Sequence, residues 1–442
     1  MDERAISINK PNRYVLTIRD LTCIMIAITV FMSISPFFAW SSFAGGVGVI
    51  IFKVIQLFSM ALMITQIPWY KLRLNKLLCA SAIMAIYFFY CFFTGVVGGT
   101  THPFLIGNIL VYAFYALVTL SDNDILLKSF GILEKIFAVI LFYTLIVYIL
   151  ILLGVPIPSV KLISGEEGRA AAGMQYYQNY LGCLIINQSG ELLYRFTSVF
   201  TEPGVVGTFC AFFLAADGMK FKKSKKDIIF LIAGILSLSV AFYVMAIVAL
   251  VFKFLRKGGV KAFSGCIFIV VLYFVFINVN FNNFALQVVQ QRLTITESGL
   301  AGDNRMHEEA RVVFENFLNS DLKTILMGYG NTDATTSAGI SVWQMSASYK
   351  EAIFQLGFIG YGLLILWFAV TPLVCYRSKN KYITRFMYSY VIIFILSQYQ
   401  RPYIKSLFLV YILLAGCLSA EHTAIKENES IPVEKRYLKN IK

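Results

Sequence analysis

Apolar runs long enough to cross a lipid bilayer recur along almost the whole of this 442-residue chain, and that repetition restricts its fold more than any single motif does. A hydrocarbon core about 30 Å thick takes roughly 20 apolar residues per helix. Inside that core every backbone N–H and C=O must find a partner within the protein. The first continuous runs stand at 21–40, 45–67, 77–97, 104–120 and 136–155, so a barrel, a disordered tail and a single-anchor enzyme are all excluded. With 58% hydrophobic and only 14% charged residues, the chain also lacks the polar material to coat a soluble globule of this size. The expected fold class is an all-α polytopic integral membrane protein.

Charge then sets the topology. The 38 Lys and Arg outnumber the 24 Asp and Glu, a net charge of +14. The bases sit in short clusters beside the apolar runs, as the positive-inside rule requires, so no nucleic acid is expected as a partner. Arg4, Lys10, Arg13 and Arg19 hold the N-terminus in the cytoplasm, Lys71, Arg73 and Lys76 follow the second run, and Lys128 and Lys135 follow the fourth. The fifth helix therefore emerges outside, and the largely polar segment 156–202 is a first large external loop. A helix starting at Pro203 returns to Lys220, Lys222, Lys223, Lys225 and Lys226.

The next run, 228–252, has those lysines before it and Lys253, Arg256, Lys257 and Lys261 behind it. Both ends belong in the cytoplasm, which one crossing cannot satisfy. The run is too short for two full spans but suffices for a re-entrant or shortened helix pair turning near Ser237-Leu238-Ser239, provided its backbone is buried in protein; a single ordinary span is the alternative. The run 263–281 leads to a second large external loop, 282–346, and runs at 353–376, 386–397 and 406–420 precede a charged cytoplasmic tail, 421–442. The expectation is a single multi-pass domain with about ten full crossings plus the hairpin, N-in and C-in. No internal repeat is visible, which weakens the case for a transporter built from duplicated halves.

Few residues offer chemistry. The eight cysteines lie almost all inside apolar runs without CxxC spacing and read as small core residues. Three scattered histidines, His102, His307 and His422, do not make a zinc cage, and no metal or cofactor is expected. In the first loop the chain reads Tyr194-Arg195-Phe196-Thr197-Ser198-Val199-Phe200-Thr201-Glu202-Pro203-Gly204-Val205-Val206-Gly207. Pro203 suits a first helical turn and Glu202 favours the positive end of the helix dipole, so Glu202 reads either as a helix cap or as a catalytic acceptor. Arg195 has no such local duty, and a guanidinium at the outer membrane boundary suits bidentate capture of a phosphate.

In the second loop, residues 303–318 form an amphipathic pattern with Met306, Ala310, Val313, Phe314 and Phe317 as the apolar stripe and Asp303 or Asn304 as the cap. Arg305 at its start is an anion ligand or the partner of Glu308 or Glu309; His307, about 200° round the helix from it, reads as a boundary residue before a general base. Met327-Gly328-Tyr329-Gly330-Asn331 follows as a turn with flexible backbone, and Gly357 and Gly360 begin the next run, where glycines permit close helix packing. Lys53 lies within the second run, where a cation needs a partner, a wet cavity or a path to snorkel. Arg401 and Lys405 flank Pro402 in the last external turn. Tyr176, Tyr177, Tyr180 and Tyr194 suit stacking on sugars or anchoring at the interface.

The segment 195–207, with its Arg and its Phe-x-Glu-Pro-Gly, resembles the signature of bacterial O-antigen polymerases (Wzy), within the superfamily that includes O-antigen ligases. The Arg305 helix, Met327-Gly328-Tyr329-Gly330 and Gln355-Leu356-Gly357-Phe358-Ile359-Gly360 follow in that family's order. The resemblance implies a GT-C-like inner-membrane glycosyltransferase that joins lipid-linked oligosaccharide repeat units on the periplasmic side without a metal. It makes Arg195 and Arg305 ligands of an undecaprenyl pyrophosphate leaving group. For such a transfer the acceptor hydroxyl needs a base or an orienting acceptor, with Glu202 the first choice and Glu308 and His307 behind it, and Lys53, Tyr194, Tyr329 and Arg401 are candidate substrate contacts. A chain-length regulator protein is a further expected partner. Ligases carry a His-Asn pair where this chain has Ser346-Ala347-Ser348, which favours polymerase over ligase. A lipid-oligosaccharide flippase would instead spread charges through its spans. A cell-wall glycan polymerase of the shape, elongation and division type would depend on an acid such as Asp303.

Overall fold

The computed structural model describes residues 17–39, 47–92, 102–163, 176–187, 195–220, 224–257, 259–280, 282, 284–296, 299–300, 308–329, 349–376, 378, 380–400, 403 and 406–429. Among them the α-helices are α1 (Ile18–Ser33), α2 (Val47–Gln66), α3 (Leu74–Ile86), α4 (His102–Leu120), α5 (Asn123–Leu152), α6 (Pro203–Ala216), α7 (Lys225–Leu236), α8 (Val240–Lys257), α9 (Gly259–Asn278), α10 (Phe284–Leu293), α11 (Glu308–Leu318), α12 (Leu322–Met327), α13 (Tyr349–Tyr376), α14 (Lys381–Gln400) and α15 (Phe408–Glu429). Four of these, α2, α5, α13 and α15, are long and apolar enough to cross a membrane, and shorter apolar helices accompany them at Leu74–Phe89, Ile109–Leu120, Pro203–Ala216 and Ser264–Asn278.

Two helices form the centre. All of α6, whose only polar side chain is Thr208, is buried, and α15 is buried from Phe408 to Ala420. Their aromatic rings meet at Phe209 and Phe408, 5.1 Å apart, while Phe137 of α5 stacks on Phe209 at 5.2 Å. Around them α1, α2, α3, α8 and α9 turn large apolar side chains such as Ile50, Leu78, Leu255 and Phe268 outward, the arrangement expected where the surroundings are lipid.

The bundle has a charged end and a loop end. At the charged end Arg19 pairs with Asp122 at 3.0 Å and Lys128 pairs with Asp20. Lys76 donates to the Ser121 carbonyl and to Asn123 Oδ1, Lys226 pairs with Glu134 at 2.6 Å, and Lys220 pairs with Glu427 at 3.1 Å. These contacts account for two departures from the expected spans. The N-cap Asp122 accepts from the Asp124 N–H and starts α5 well before the apolar run at 136, with Leu126, Phe130 and Leu133 buried on its inner face. Glu427, which also accepts from the Tyr382 hydroxyl, lies in α15, and that helix continues into the segment expected to be tail as far as Glu429.

The chain is predominantly helical, as expected, with a small sheet added in a loop segment. Residues of the 156–202 segment build an antiparallel sheet, β1 (Val160–Ile163), β2 (Tyr176–Tyr180) and β3 (Cys183–Asn187), in that order. Aromatic and β-branched residues favour the pleat. Leu181 and Gly182 link β2 to β3 with φ of 49° and 93°, the two left-handed residues of a tight hairpin. This hairpin is drawn into the bundle: Tyr177, Cys183 and Leu184 are fully buried, and Tyr143 of α5 donates to the Leu181 carbonyl at 2.9 Å. A second short ladder joins β4 (Ile295–Thr296) and β5 (Gly299–Leu300).

At the loop end, α13 is broken at Gly357, whose φ of 66° and ψ of 175° no side-chain-bearing residue adopts readily. Gly328, at the end of α12, has the same kind of backbone, φ 74° and ψ 175°. The two glycines dock backbone to backbone: a Cβ on Gly357 would run into the Leu326 carbonyl, and the Tyr329 N–H donates to the Phe354 carbonyl at 3.0 Å. Phe314 and Phe317 of α11 close over Phe354. Ahead of this junction, Asp321 caps α12, and the Thr324 hydroxyl and N–H hold its carboxyl below the ordinary value. Gly357→Ala should lower stability by about 1–3 kcal/mol or more, whereas Gly362→Ala, a helical site with open space around it, should be neutral or stabilising by up to about 1 kcal/mol. Thermal unfolding of the two purified variants tests this; equal melting temperatures would remove the docked-glycine account.

Candidate functional site

The expected turn at Ser237-Leu238-Ser239 is present, and it divides α7 from α8. Side-chain and backbone contacts show that the pair is a hairpin. Lys226 near the start of α7 reaches Glu134 at the charged end, and Lys253 near the end of α8 donates to the Met219 carbonyl just beyond α6 at 2.6 Å. Gly207, in the second turn of α6, packs against the tip, since a Cβ there would come within 2.6 Å of Ser239 Cβ and 2.9 Å of Ser237 Oγ. Thus α6 and α8 run parallel with their N-termini side by side, and α7 runs against both. Each N-terminus carries roughly half a positive charge, whereas the C-terminal carbonyls of α7 are negative.

Arg195 resolves that opposition. Its Nε donates to the Ser237 carbonyl at 3.3 Å and its Nη2 to the Leu238 carbonyl at 3.1 Å. The neighbouring Phe196 N–H donates to the Leu236 carbonyl at 3.1 Å. Sequence alone assigns Arg195 no local duty; the fold gives it one, on carbonyls 42 and 43 residues away. The segment that delivers it is buried, with Phe196, Thr197, Ser198 and Phe200 all at 0% exposure, so it is not an open loop. It is held by the Ser198–Thr144 hydroxyl contact at 2.8 Å, by the Thr197 hydroxyl on the Leu184 carbonyl, and by the Leu184 N–H on the Ser198 carbonyl at 2.8 Å. Ser198 and Leu238 both have left-handed backbones, φ 55° and 48°. Non-glycine residues hold that conformation only where the surroundings enforce it, and such positions cluster at functional sites.

Glu202 stands at the N-cap of α6, half-buried, and its carboxylate makes no capping hydrogen bond to the helix. The plain cap reading therefore loses its usual contact. A cationic guanidinium, two parallel helix N-termini and a carboxylate thus share the loop end of one short stretch of α6–α8, an arrangement suited to an anion with a proton acceptor nearby.

The other residues singled out from the sequence fall elsewhere. Lys53 is exposed on α2, where its ammonium meets Gln56 Oε1 at 3.5 Å. Tyr329 belongs to the α11–α13 cluster, its ring 4.9 Å from Phe354 and 5.8 Å from Phe317. Tyr177 is fully buried and donates to the Thr201 carbonyl at 3.0 Å, so it packs the core and is not open to a sugar. Tyr194, Asp303, Arg305, His307 and Arg401 lie outside the described residues. Among the described residues no three of His, Cys, Asp and Glu converge as a metal-ligand set. What sequence reading missed is the pairing of Arg195 with the hairpin tip; the only hint was that small residues, Gly207 and the two serines, occupy both partners.

No protein-family model matches the chain, and no curated protein matches it either.

Proposed function

We propose that this chain is a membrane glycosyltransferase of the O-antigen polymerase kind, which moves a growing glycan from undecaprenyl pyrophosphate onto a hydroxyl of an incoming lipid-linked repeat unit. The observation that carries the reading is Arg195, held on the turn of a discontinuous helix pair beside the N-termini of α6 and α8. In this reading the acceptor oxygen attacks the anomeric carbon as the bond to pyrophosphate breaks. The electron pair leaves with the pyrophosphate, and the hydroxyl proton passes to Glu202. Charge grows on the leaving group, and fixed positive charge in a water-poor site stabilises it most where it grows. Arg305 is assigned the same role by the family resemblance.

The membrane placement belongs to the same proposal. The chain crosses a bacterial inner membrane about ten times, N-in and C-in, with the charged end of the bundle cytoplasmic, the α7–α8 hairpin re-entrant from that side, and 156–202 and 282–346 toward the periplasm. A chain-length regulator would be a separate partner protein.

Three outcomes are expected. Single cysteines at Ser224 and Gly258, in a background without native cysteines, should both be shielded from an impermeant thiol reagent in intact cells; labelling of only one would replace the hairpin by a single crossing. Purified protein given a lipid-linked repeat unit should build a polymer ladder, and the ladder should survive chelator, since no step calls on a metal. Arg195→Lys keeps the charge but loses the planar fork, so its rate should fall by about 10² to 10³, with Arg195→Ala lower still. Near-normal ladders from Arg195→Lys at normal protein level would reduce Arg195 to a staple of the hairpin.

A further inference from the structure

Before its last two residues, Thr65 and Gln66, helix α2 is apolar except for a short strip. Lys53, Gln56 and Ser59 follow one another at three-residue intervals, each step turning about 60° round the helix. The strip therefore winds from an outer flank, where Lys53 is exposed, to an inner face where Gln56 and Ser59 are 1% and 0% exposed. Its hydrogen bonds do not balance. Gln56 Oε1 faces the Lys53 ammonium at 3.5 Å. Among the described residues, Gln56 Nε2 and Ser59 Oγ are buried without a partner, as is Thr29 Oγ1 on α1, the helix packed along α2. Among the described residues no carboxylate pairs with Lys53.

Depth makes the imbalance costly. Lys53 lies about 9 Å along α2 from Val47, and Gln56 and Ser59 about 4.5 and 9 Å further in. A snorkelling lysine would direct its ammonium to the nearer end of the helix. Here it meets the side chain of Gln56, three residues deeper. Donors without acceptors, next to a cation, on a lipid-facing helix, call for an anion rich in oxygen that arrives from the bilayer. We propose that this strip binds the phosphate group of a membrane lipid, with the exposed Lys53 pairing with its charge and the Gln56 amide, at the edge between the outer flank and the inner face, turning outward to donate to one of its oxygens; Ser59 lies too deep to touch it.

Two sources supply that chemistry, a glycerophospholipid and a polyprenyl-linked phosphate. The Phe37 N–H, in the turn after α1, donates to the Val199 carbonyl at 2.9 Å, and Pro36 pairs with Phe200. The loop end of α1 therefore adjoins the segment that carries Arg195. A polyprenyl occupant would sit on the lipid side of that segment, and only this extension rests on the glycosyltransfer reading.

The test is lipid retention by the purified full-length protein in native mass spectrometry, titrated with dioleoylphosphatidylglycerol, undecaprenyl phosphate and, as the phosphate-free control, dioleoylglycerol. At least one phosphate lipid should be retained and dioleoylglycerol should not. Lys53→Met and Gln56→Leu should each weaken retention by about tenfold or more, the loss expected for a charge-assisted hydrogen bond. Gln56→Leu also removes a buried amide nitrogen that has no partner among the described residues, at the cost of one long contact to an exposed lysine, so the melting temperature of the lipid-free variant should hold or rise, which separates lost binding from lost folding. Tighter retention of undecaprenyl phosphate assigns the strip to the carrier lipid, and equal retention assigns it to phospholipid. Wild-type retention by both variants, or retention of dioleoylglycerol as strong as that of the phosphates, would overturn the proposal. No glycan is present, so the result does not depend on the polymerase activity.

Discussion

The hydrogen bonds from one guanidinium to the carbonyls of Ser237 and Leu238 address the problem on which the centre of this fold turns. A chain that reverses direction among apolar helices exposes the carbonyls that end one helix and the N–H groups that begin the next. Water cannot reach them, and each unpaired buried group costs about 1–3 kcal/mol. Arg195 supplies donors to the first set. The Ser237 hydroxyl, bonded to the Gly234 carbonyl at 2.6 Å, and the Tyr243 hydroxyl, bonded to the Ile235 carbonyl at 2.9 Å, complete the tip. With the turn satisfied, α6 can be buried on every side between α7, α8, α14 and α15, with Phe130 and Phe137 of α5 against its Phe209 and Phe213, and the 195–202 segment can be packed above it.

The second discontinuity is handled by other means. At Gly357 no side chain intervenes; two glycine backbones approach closely enough for main-chain groups of one segment to serve the other. A side-chain staple leaves a charge at the turn, whereas a docked backbone leaves none. That difference separates a tip able to attract an anion from a junction that fixes the angle of α13 beneath the aromatic cluster of Phe317, Tyr329 and Phe354.

Much of the helical frame was legible in the chain. The runs at 45–67, 104–120 and 263–281 meet α2, α4 and α9, because about 20 apolar residues in a row leave few alternatives to a buried or lipid-facing helix. The hairpin was legible for an electrostatic reason: lysines and arginines on both sides of 228–252 forced the chain back to the end it came from, and the Ser-Leu-Ser break marked where. Val313, Phe314 and Phe317 were likewise readable as one face from their spacing.

What the sequence by itself determined about this protein is the partition of each segment between apolar and polar surroundings, since hydropathy and charge are local properties that need no partner to be counted. The tertiary structure alone decided that a polar-looking segment folds into a buried β-hairpin, that Arg195 reaches carbonyls some forty residues away, and that the Gln56 amide nitrogen and the Ser59 hydroxyl lie inside with no hydrogen-bond partner among the described residues. The physical reason is that hydrogen-bond satisfaction is a property of pairs. Whether a donor is spent, and on what, is settled only when distant stretches of chain are brought within about 3 Å of each other.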